Sequence, residues 1–443
     1  MTKNSVFKHP GVKAFFLYFI ASQINDPLSV SFGGIPVTPI QIAIIAGIIM
    51  TIKYWSSFVY NKLALFYGFL LLIVLYTFVK LLNEGEIALY CLTLMFNLVW
   101  VTCVSSALIK IKIKKDDYTL VLKRLMLCLI PSIIFGSYEF ITRKYLFPEG
   151  LGGAMKVGLD DNNFYIRGGF RDKFDFSSFI LFGPVIFLSF YLNKIRLSLL
   201  YKGIALLCTF LLLFSYSTSV ILSFGVILVY ALLFMGNIKR SVPLIGAIVV
   251  LALASVTYIT QSDIYKNQIN AYNLKYQRQV EDKDESSFRW NAIKVGLEHF
   301  TDKPIFGFGL DNGKNVIFKY APTISNKPTN SHNYFINNLL DFGLLGFGVL
   351  SAALVNIFFF YRKTKKWRSL YKPLSDFLTM LFIFNIITFQ SYYHSFDRSM
   401  YFVLIFFVFF YFSQKLNDES TNMRSENFGG RSGDVGVEVS SGA

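Results

Sequence analysis

The residues best suited to chemistry lie in one long polar stretch, residues 286–346, of an otherwise apolar chain. The stretch carries Arg289 in a helix-like segment, turns through the sequence KPIFGFG, and reaches His332 just before the next apolar run. A histidine side chain titrates near pH 6.5 and is a natural proton acceptor at neutral pH. An arginine binds phosphate through paired hydrogen bonds. The stretch therefore suits proton transfer beside a bound anion.

Two shorter polar segments carry the same kinds of side chain. One combines two arginines with two glycines, which allow a close approach of the backbone to a phosphate: Arg167, Gly168, Gly169, Arg171. The other carries His394, Asp397 and Arg398. Taken alone, each of these residues is explained as an ordinary polar residue of a surface loop. Their common placement on one side of a membrane, derived below, is what favours a shared site.

The composition is that of an all-α polytopic membrane protein. Apolar residues make up 54% of the chain, charged residues 16%, and the mean hydropathy is +0.48. A soluble domain usually carries about 25% charged residues. Apolar runs of the length that crosses a bilayer recur from end to end. The net charge of +16 falls mostly in short loops between these runs, which indicates membrane topology and not a nucleic-acid partner.

About twelve membrane spans are predicted, with one long external loop between spans 9 and 10. Their approximate bounds are 12–30, 39–56, 63–82, 87–109, 120–141, 177–193, 199–215, 218–236, 241–260, 334–360, 374–393 and 400–414. Lysines and arginines concentrate in every second loop, for example Lys110–Lys115 and Arg362–Arg368. This bias places both termini in the cytoplasm.

The same topology divides the chain into one membrane domain, residues 1–416, and a polar, Gly/Ser-rich cytoplasmic tail, residues 417–443, that we expect to be disordered. Three segments are predicted to lie outside: 142–176, 261–333 and 391–399. All the candidate residues named above fall in the long stretch or in these segments. The active site is therefore predicted on the external face.

The long loop is predicted to contain a helix from Ser287 to Phe300, capped by Ser286 or Ser287. Its apolar face would be formed by residues at helical spacing and would rest on the bundle or on the headgroup layer: Trp290, Ile293, Leu297 and Phe300. Arg289 would lie in the first turn. There it either is an ordinary solvated or interfacial arginine or joins the free N–H groups of the helix start in holding a phosphate.

Three sequence elements resemble one known family. The run His332-Asn333, followed at fixed spacing by Gly343 and Gly346, resembles the signature of bacterial O-antigen ligases and of the related O-antigen and capsular polysaccharide polymerases. The segment FRWNAIKVGLEHFTDKPIFGFG is similar to that family's loop helix and turn. The segment IRGGFRDKFDFSSF resembles its Arg-Gly-Phe element but lacks the usual Pro-Asn pair, so the donor-binding arginine there is either Arg167 or Arg171.

The resemblance implies glycosyl transfer from an undecaprenyl-diphosphate-linked oligosaccharide at the outer face of the cytoplasmic membrane. In this interpretation His332 is the general base for the acceptor hydroxyl, and Arg289 acts with the arginines of the earlier element on the diphosphate. Asn333, His394 and Arg398 are candidate acceptor-binding or supporting residues. The resemblance also implies a metal-independent enzyme without a cofactor.

Three functions stay open at this point. The first is a polysaccharide polymerase that extends a lipid-linked repeat unit, and the second is the ligase that transfers finished glycan to lipid A core. The third is a transporter or flippase of lipid-linked sugars, which would be expected to keep ionisable residues within its spans. The expected partners are the lipid-linked oligosaccharide, membrane lipid, and a chain-length regulator and flippase of the same pathway.

Overall fold

A computed structural model describes most of the helical part of the chain. The described residues are 6–24, 28, 30–32, 35–57, 75, 78–79, 89–111, 115–142, 144–145, 166–170, 173–215, 217–235, 284–309, 312–320, 331, 333–363 and 372–388. Within them the chain is helical apart from one short antiparallel hairpin, in which Val30–Phe32 pairs with Ile35–Val37 between the first two helices.

The α-helices of the described residues are, in chain order, α1 (Pro10–Gln23), α2 (Pro39–Thr51), α3 (Leu89–Ile109), α4 (Lys115–Cys128), α5 (Ile130–Thr142), α6 (Lys173–Ile180), α7 (Phe182–Leu192), α8 (Leu199–Phe214), α9 (Thr218–Tyr230), α10 (Asp284–Phe300), α11 (Gly313–Tyr320), α12 (Tyr334–Lys363) and α13 (Lys372–Thr388). Short 3-10 helices at Val6–Lys8 and Ile52–Ser57 and a π-helical turn at Ala231–Met235 extend three of them.

Each predicted span that the structure describes contains a helix, but the first one, 12–30, was predicted too long: α1 ends at Gln23, and Val30 belongs to the hairpin. Two helical segments are long and apolar enough to cross a membrane, Asp117–Thr142 and Lys173–Leu192. Four shorter apolar helices occur at Pro39–Trp55, Met95–Leu108, Leu199–Phe214 and Ser219–Leu233. The predicted spans at 241–260 and 400–414, most of the one at 63–82, and the C-terminal tail lie outside the described residues. The total of twelve spans therefore stays a prediction.

The segment Asp117–Thr142 is broken in its middle, where α4 ends at Cys128 and α5 begins with Pro131 in its first turn. Gln23, fully buried at the end of α1, fills this break. Its amide donates a hydrogen bond to the Cys128 carbonyl at 2.6 Å, and its side-chain oxygen accepts one from the Ser132 hydroxyl at 2.6 Å. A polar side chain in an apolar bundle thus satisfies backbone that the break leaves exposed.

The core is aromatic. Tyr18 stacks on Trp100 with ring centroids 4.4 Å apart, which ties α1 to α3. Phe19 contacts Phe179 at 5.1 Å, which ties α1 to α6. These rings are almost fully buried, and they draw the helices on either side of the sequence gap 146–165 into one hydrophobic core. Part of the 18% aromatic content therefore serves interior packing.

Basic residues of separate loops meet at one end of the bundle. Lys53 and Lys110 both lie over the Tyr54 ring, at 5.2 and 6.0 Å from its centroid. His9 contacts the same ring at 5.7 Å. Burial, with the nearby Lys53 charge, lowers the pKa of His9 to about 4. These basic residues therefore lie together at the end of the bundle where α1 begins. The charge bias predicts that this end faces the cytoplasm.

Candidate active site

The first turn of α12 is organised by the residues on either side of His332. The Asn333 side chain accepts hydrogen bonds from the backbone N–H groups of Phe335 (3.0 Å) and Ile336 (3.2 Å), which makes it the helix cap. The Ser331 hydroxyl accepts a hydrogen bond from the Asn333 N–H at 3.2 Å. These bonds hold both neighbours of the predicted base, although His332 itself lies outside the described residues.

Asn337, one turn further along α12, fastens this loop to the helix. Its side-chain oxygen accepts hydrogen bonds from the Ser331 hydroxyl at 3.0 Å and from the Ser331 N–H at 3.3 Å. Both residues are buried. The Ser331–Asn337 pair therefore fixes where the chain enters α12. The Asn333 side-chain oxygen is occupied by the helix start, and its predicted role at the acceptor stays a prediction.

The turn after α10 replaces part of the hydrogen-bond ladder of α12. Within α12, Gly343 has a non-helical backbone with φ 64° and ψ −167°. The N–H groups of Leu344 and Leu345 donate to the carbonyls of Pro304 (2.7 Å) and Ile305 (3.1 Å) instead of to those of Leu340 and Asp341. A regular helix would have made the latter bonds.

The two helix carbonyls that this exchange frees are satisfied by the same turn. The Leu340 carbonyl accepts from the Phe308 N–H at 2.7 Å, and the Asp341 carbonyl accepts from the Gly309 N–H at 2.9 Å. Four hydrogen bonds between the turn and α12 thus stand in place of two within the helix. Because each of the carbonyls and amides in this exchange has a partner, the kink is a stable structural joint.

Three glycines make this close approach of two backbones possible. Gly307, Gly309 and Gly343 all have positive φ, a region that L residues rarely adopt. A Cβ on Gly307 would lie 2.5 Å from the carbonyl oxygens of Leu340 and Asp341. A Cβ on Gly343 would lie 2.6 Å from the Gly307 nitrogen. The predicted tight turn is confirmed, and Gly343 of the His-Asn signature is its partner.

The helix α10 differs from the predicted one at its start and in its buried face. It begins at Asp284, so neither Ser286 nor Ser287 is the cap, and Arg289 lies in the second turn, beyond the free N–H groups of the helix start. The predicted serine cap is therefore wrong, whereas the idea that Arg289 and those N–H groups hold one anion stays a prediction. Of Arg289 the structure describes the backbone only.

Small residues contribute to the contact between α10 and α12, beside the predicted Phe300, which packs against the same cluster. Ala292 is fully buried, and a Cβ on Gly296 would lie 2.7 Å from Ile336 Cγ2. Leu297, predicted on the packed face, is 50% exposed. The spacing of large apolar residues identified only part of the packed face, because a close helix crossing needs small side chains where the two backbones approach.

Asp341 joins α11 to the same joint. Its carboxylate is 1% exposed and accepts a hydrogen bond from the Gly313 N–H, the first residue of α11, at 2.7 Å. A carboxylate at a helix N-terminus is favoured by the helix dipole. The contact between α11 and α12 also buries Ile317 against Leu340. The three helices α10, α11 and α12 and the turn therefore form one packed unit, which we call the loop unit.

The Arg167 turn lies elsewhere, buried at the end of α5. The Glu139 carboxylate, 3% exposed, accepts hydrogen bonds from the backbone N–H groups of Arg167 (2.7 Å) and Gly168 (2.8 Å). The Arg167 guanidinium lies over the Tyr145 ring, 3.7 Å from its centroid. Arg167 also interacts electrostatically with Glu139. A buried cation and a buried carboxylate are thus held together next to a tight turn.

The two glycines after Arg167 are required by their surroundings. Gly168 and Gly169 have φ of 52° and 87°. A Cβ on Gly168 would collide with the Phe176 ring of α6, and one on Gly169 would lie 3.0 Å from the Gln23 carbonyl oxygen at the end of α1. From sequence these glycines were expected to allow the approach of a phosphate, whereas in the structure they allow the turn to enter between three helices.

Three serines continue the polar layer next to the Arg167 turn. The Ser177 hydroxyl of α6 donates to the Ser215 hydroxyl at 2.7 Å, and the Ser217 N–H donates to the same oxygen at 3.4 Å. All three are buried. They tie the start of α6 to the turn between α8 and α9.

The structure describes only part of the predicted site. Arg167 contacts Glu139 and Tyr145. Asn333 contacts Ser331 and the first turn of α12. Arg171, His332, His394 and Arg398 lie outside the described residues. The convergence of the Arg167 turn and the loop unit on one site therefore stays a prediction. Among the described residues, no three of His, Cys, Asp and Glu come together as a metal-binding group.

Two buried carboxylates were not singled out from sequence, although both carried a signal. Glu139 is the single acidic residue in the apolar run IPSIIFGSYEFIT, and Asp341 is the single acidic residue in NNLLDFGLLG. An acidic residue within such a run is costly unless it has partners, so each pointed to a hydrogen-bonded role. What the sequence could not reveal is that both carboxylates accept from the backbone of distant turns.

The described residues form an all-helical bundle with an aromatic core, and its two long apolar helices are consistent with a helical membrane protein. Residues 203–351 match the family model described as O-antigen ligase. The match confirms the resemblance to the O-antigen ligase and polymerase family. It runs from α8 to α12 and includes Arg289, His332 and Gly343, whereas Arg167 and Arg171 lie before it. No protein of curated function matches the chain significantly.

The role of Glu139 can be tested with two substitutions of different chemistry. Glu139→Ala leaves two buried N–H groups without an acceptor, at about 1–3 kcal/mol each, and we expect glycan transfer to fall at least about tenfold. Glu139→Gln keeps an oxygen acceptor at the same place, and most of the activity should remain. The measurement is the transfer rate against donor concentration.

A suitable control is Glu298→Ala, which removes a carboxylate that is largely exposed on α10 and lies 3.9 Å from the Lys294 ammonium. It should leave transfer unchanged, since exposed ion pairs contribute little. If the Gln and Ala variants of Glu139 lost the same transfer activity, the negative charge would be what matters, and the oxygen that accepts from the two backbone N–H groups would not.

Proposed function

We propose that this protein is a polysaccharide polymerase of the outer face of the cytoplasmic membrane. It transfers a growing glycan from an undecaprenyl-diphosphate carrier to a hydroxyl of a lipid-linked repeat unit. The observation that carries the proposal is the O-antigen ligase match over residues 203–351, which includes α10, α11 and the kinked first half of α12. The described geometry supports it, because the neighbours of His332 are fixed at the start of α12.

The proposed reaction uses the predicted residues in separate roles. His332 accepts the proton of the acceptor hydroxyl as its oxygen attacks the anomeric carbon of the donor sugar, and the bond to the diphosphate breaks. The lipid diphosphate leaves with additional negative charge, which Arg289 and an arginine of the earlier element, Arg167 or Arg171, stabilise. Asn333 supports the loop by capping α12.

Of the two arginines in the earlier element, Arg167 is the one whose environment the structure describes. Its backbone is fixed by Glu139 and its guanidinium rests on Tyr145. A guanidinium held against an aromatic ring loses less conformational freedom when it binds an anion, because its plane is already set. This preorganisation supports Arg167 as a diphosphate ligand, with His394 and Arg398 as further candidates for the acceptor side.

The alternative is an O-antigen ligase, which would use the same donor and the same base but transfer the glycan to lipid A core. The family match supports both enzymes and does not distinguish them. The described contacts of the loop unit and the Arg167 turn are compatible with either acceptor. The polymerase is preferred because the His-Asn signature does not itself demand a lipid A acceptor.

Transport of lipid-linked sugars is the weaker alternative. Glu139 and Asp376 are carboxylates buried in apolar helices, as a transporter would need. Glu139, however, is engaged by the Arg167 turn, and the Asp376 carboxylate of α13 accepts a hydrogen bond from the Asn193 amide at 2.7 Å. Both carboxylates are thus hydrogen-bonded within the bundle, which favours a structural role over a role in transport.

Reconstitution separates the three functions. Purified protein in liposomes would be given the native lipid-diphosphate-linked repeat unit, and the products would be separated on a gel. A ladder of lengthening glycans without any lipid A core supports the polymerase. Transfer only after lipid A core is added identifies the ligase. Inactivity in both assays, with folded protein and the native repeat unit, favours transport and contradicts the proposal.

A further inference from the structure

An exposed apolar patch lies where the turn after α10 meets the kink of α12. Its side chains come from both partners: Ile305 is 57% exposed and Phe306 51%, while Leu344 and Leu345 are 56% and 37% exposed. The four are held side by side, because the Leu344 and Leu345 N–H groups donate to the carbonyls of Pro304 and Ile305. Four large apolar side chains exposed together on a polar loop require an explanation.

The sequence of α12 indicates what covers this patch. Residues 344–361 contain no charged side chain, a length close to the roughly 20 residues that cross a bilayer. The preceding helical part, residues 334–342, contains Asn337, Asn338 and the buried Asp341. The kink at Gly343 therefore separates a polar segment from an apolar one, and by composition the crossing starts at Gly343, nine residues after the start of the predicted span 334–360.

Because the turn is hydrogen-bonded to the first residues of this crossing, it lies at the depth where the chain enters the bilayer. Backbone that leaves helical geometry at this depth is tolerated only if its polar groups are satisfied. The four bonds between the turn and α12 do so. The exposed Lys303, whose Nζ lies 5.3 Å from the Phe308 ring, precedes the apolar tip and suits the headgroup layer.

We propose that the Lys303–Gly309 turn docks into the outer leaflet of the membrane. Ile305 and Phe306 insert beside Leu344 and Leu345 into the boundary between headgroups and acyl chains, and Lys303 stays at the phosphates. The long external loop is thereby anchored to the bilayer surface at its middle. The occupant of the patch is bilayer lipid.

The docking has a consequence that rests on the proposed function. Asn333 lies ten residues before Gly343 on the same helix, which at 1.5 Å per residue keeps it within about 15 Å of the interface. The diphosphate of a lipid-linked donor also lies at the headgroup layer. The anchored turn therefore holds the His332 loop at the height at which such a donor presents its diphosphate.

The depth of the turn can be measured with nitroxide spin labels in liposomes of phosphatidylethanolamine and phosphatidylglycerol. The labels are attached through Ile305→Cys and Leu344→Cys in a background whose four native cysteines are replaced by alanine and which remains folded. Collision with oxygen, which concentrates in lipid, is compared with collision with a water-soluble nickel chelate. The control is a label attached through Asn315→Cys on the exposed surface of α11.

We expect the labels at positions 305 and 344 to collide severalfold more with oxygen relative to nickel than the control label does. Nickel accessibility at both positions equal to that of the control would overturn the proposal. Protection from both reagents would also overturn it, since another protein segment would then cover the patch. No substrate is present, so the depth measurement stands or fails independently of glycan transfer.

Discussion

His332→Ala is expected to lower the rate of glycan transfer by a factor of about 10² or more while the protein remains folded and inserted. The physical reason is that a sugar hydroxyl is a poor nucleophile until its proton is accepted. The bonds that shape the loop involve Ser331, Asn333 and Asn337 and need no side chain at position 332. The substitution therefore removes the base without removing its support.

The control for this prediction is the other histidine of the loop unit. His299 stacks on the Tyr320 ring at 3.6 Å and contacts Asp302 at 2.9 Å, and both of these partners are exposed. His299→Ala should keep nearly full activity. The measurement is the initial transfer rate with saturating donor in reconstituted protein. Near-normal activity of His332→Ala would remove His332 from the catalytic role.

Gly343→Ala is expected to undock the turn from α12 and to abolish most of the transfer activity. The new Cβ would lie 2.5 Å from the Ile305 carbonyl carbon, and a backbone of φ 64° costs a non-glycine residue about 1–3 kcal/mol by itself. Because the neighbouring atoms are backbone, no side chain can move aside. We expect a lower melting temperature in detergent and at least about a tenfold loss of rate.

Gly348→Ala is the matched control on the same helix, since an added methyl group there would meet no atom of the described residues within 4 Å. It should be neutral or slightly stabilising, because alanine favours helix by up to about 1 kcal/mol over glycine. Gly307→Ala should reproduce the effect of Gly343→Ala. The double variant should lose less stability than the sum of the losses in the two single variants, because each substitution breaks the same contact between the turn and α12. Gly343→Ala behaving like Gly348→Ala would show that the joint is dispensable.

The joint also changes the interpretation of the His-Asn signature. From sequence, the glycines of KPIFGFG and Gly343 belong to two separate patterns, one that ends a helix and one that follows the histidine. In the structure they are the two halves of one backbone contact. A pairing between residues 304–309 and 340–345 leaves no local trace in either segment, since each half has the sequence of an ordinary turn or helix.

The Arg167 turn shows the same limit. The pattern Arg-Gly-Gly suggested a phosphate-binding loop, yet Gly168 and Gly169 are demanded by Phe176 and Gln23, which come from other parts of the chain. Glu139, which holds the turn, is 28 residues away from Arg167 in sequence. The need for glycine at these positions comes from neighbouring side chains and backbone in the packed bundle, so the loop sequence alone does not reveal it.

The helical class, the approximate positions of the described apolar helices, the turn at KPIFGFG and the family resemblance all followed from the amino-acid sequence, because hydropathy, glycine spacing and short motifs are local properties. Three features emerged only when the packed helices were seen together: the buried face of α10, the break in α12, and the partners of Glu139 and Asp341. These features depend on close approaches between distant segments, where the fit of one backbone against another outweighs the preferences of either segment alone.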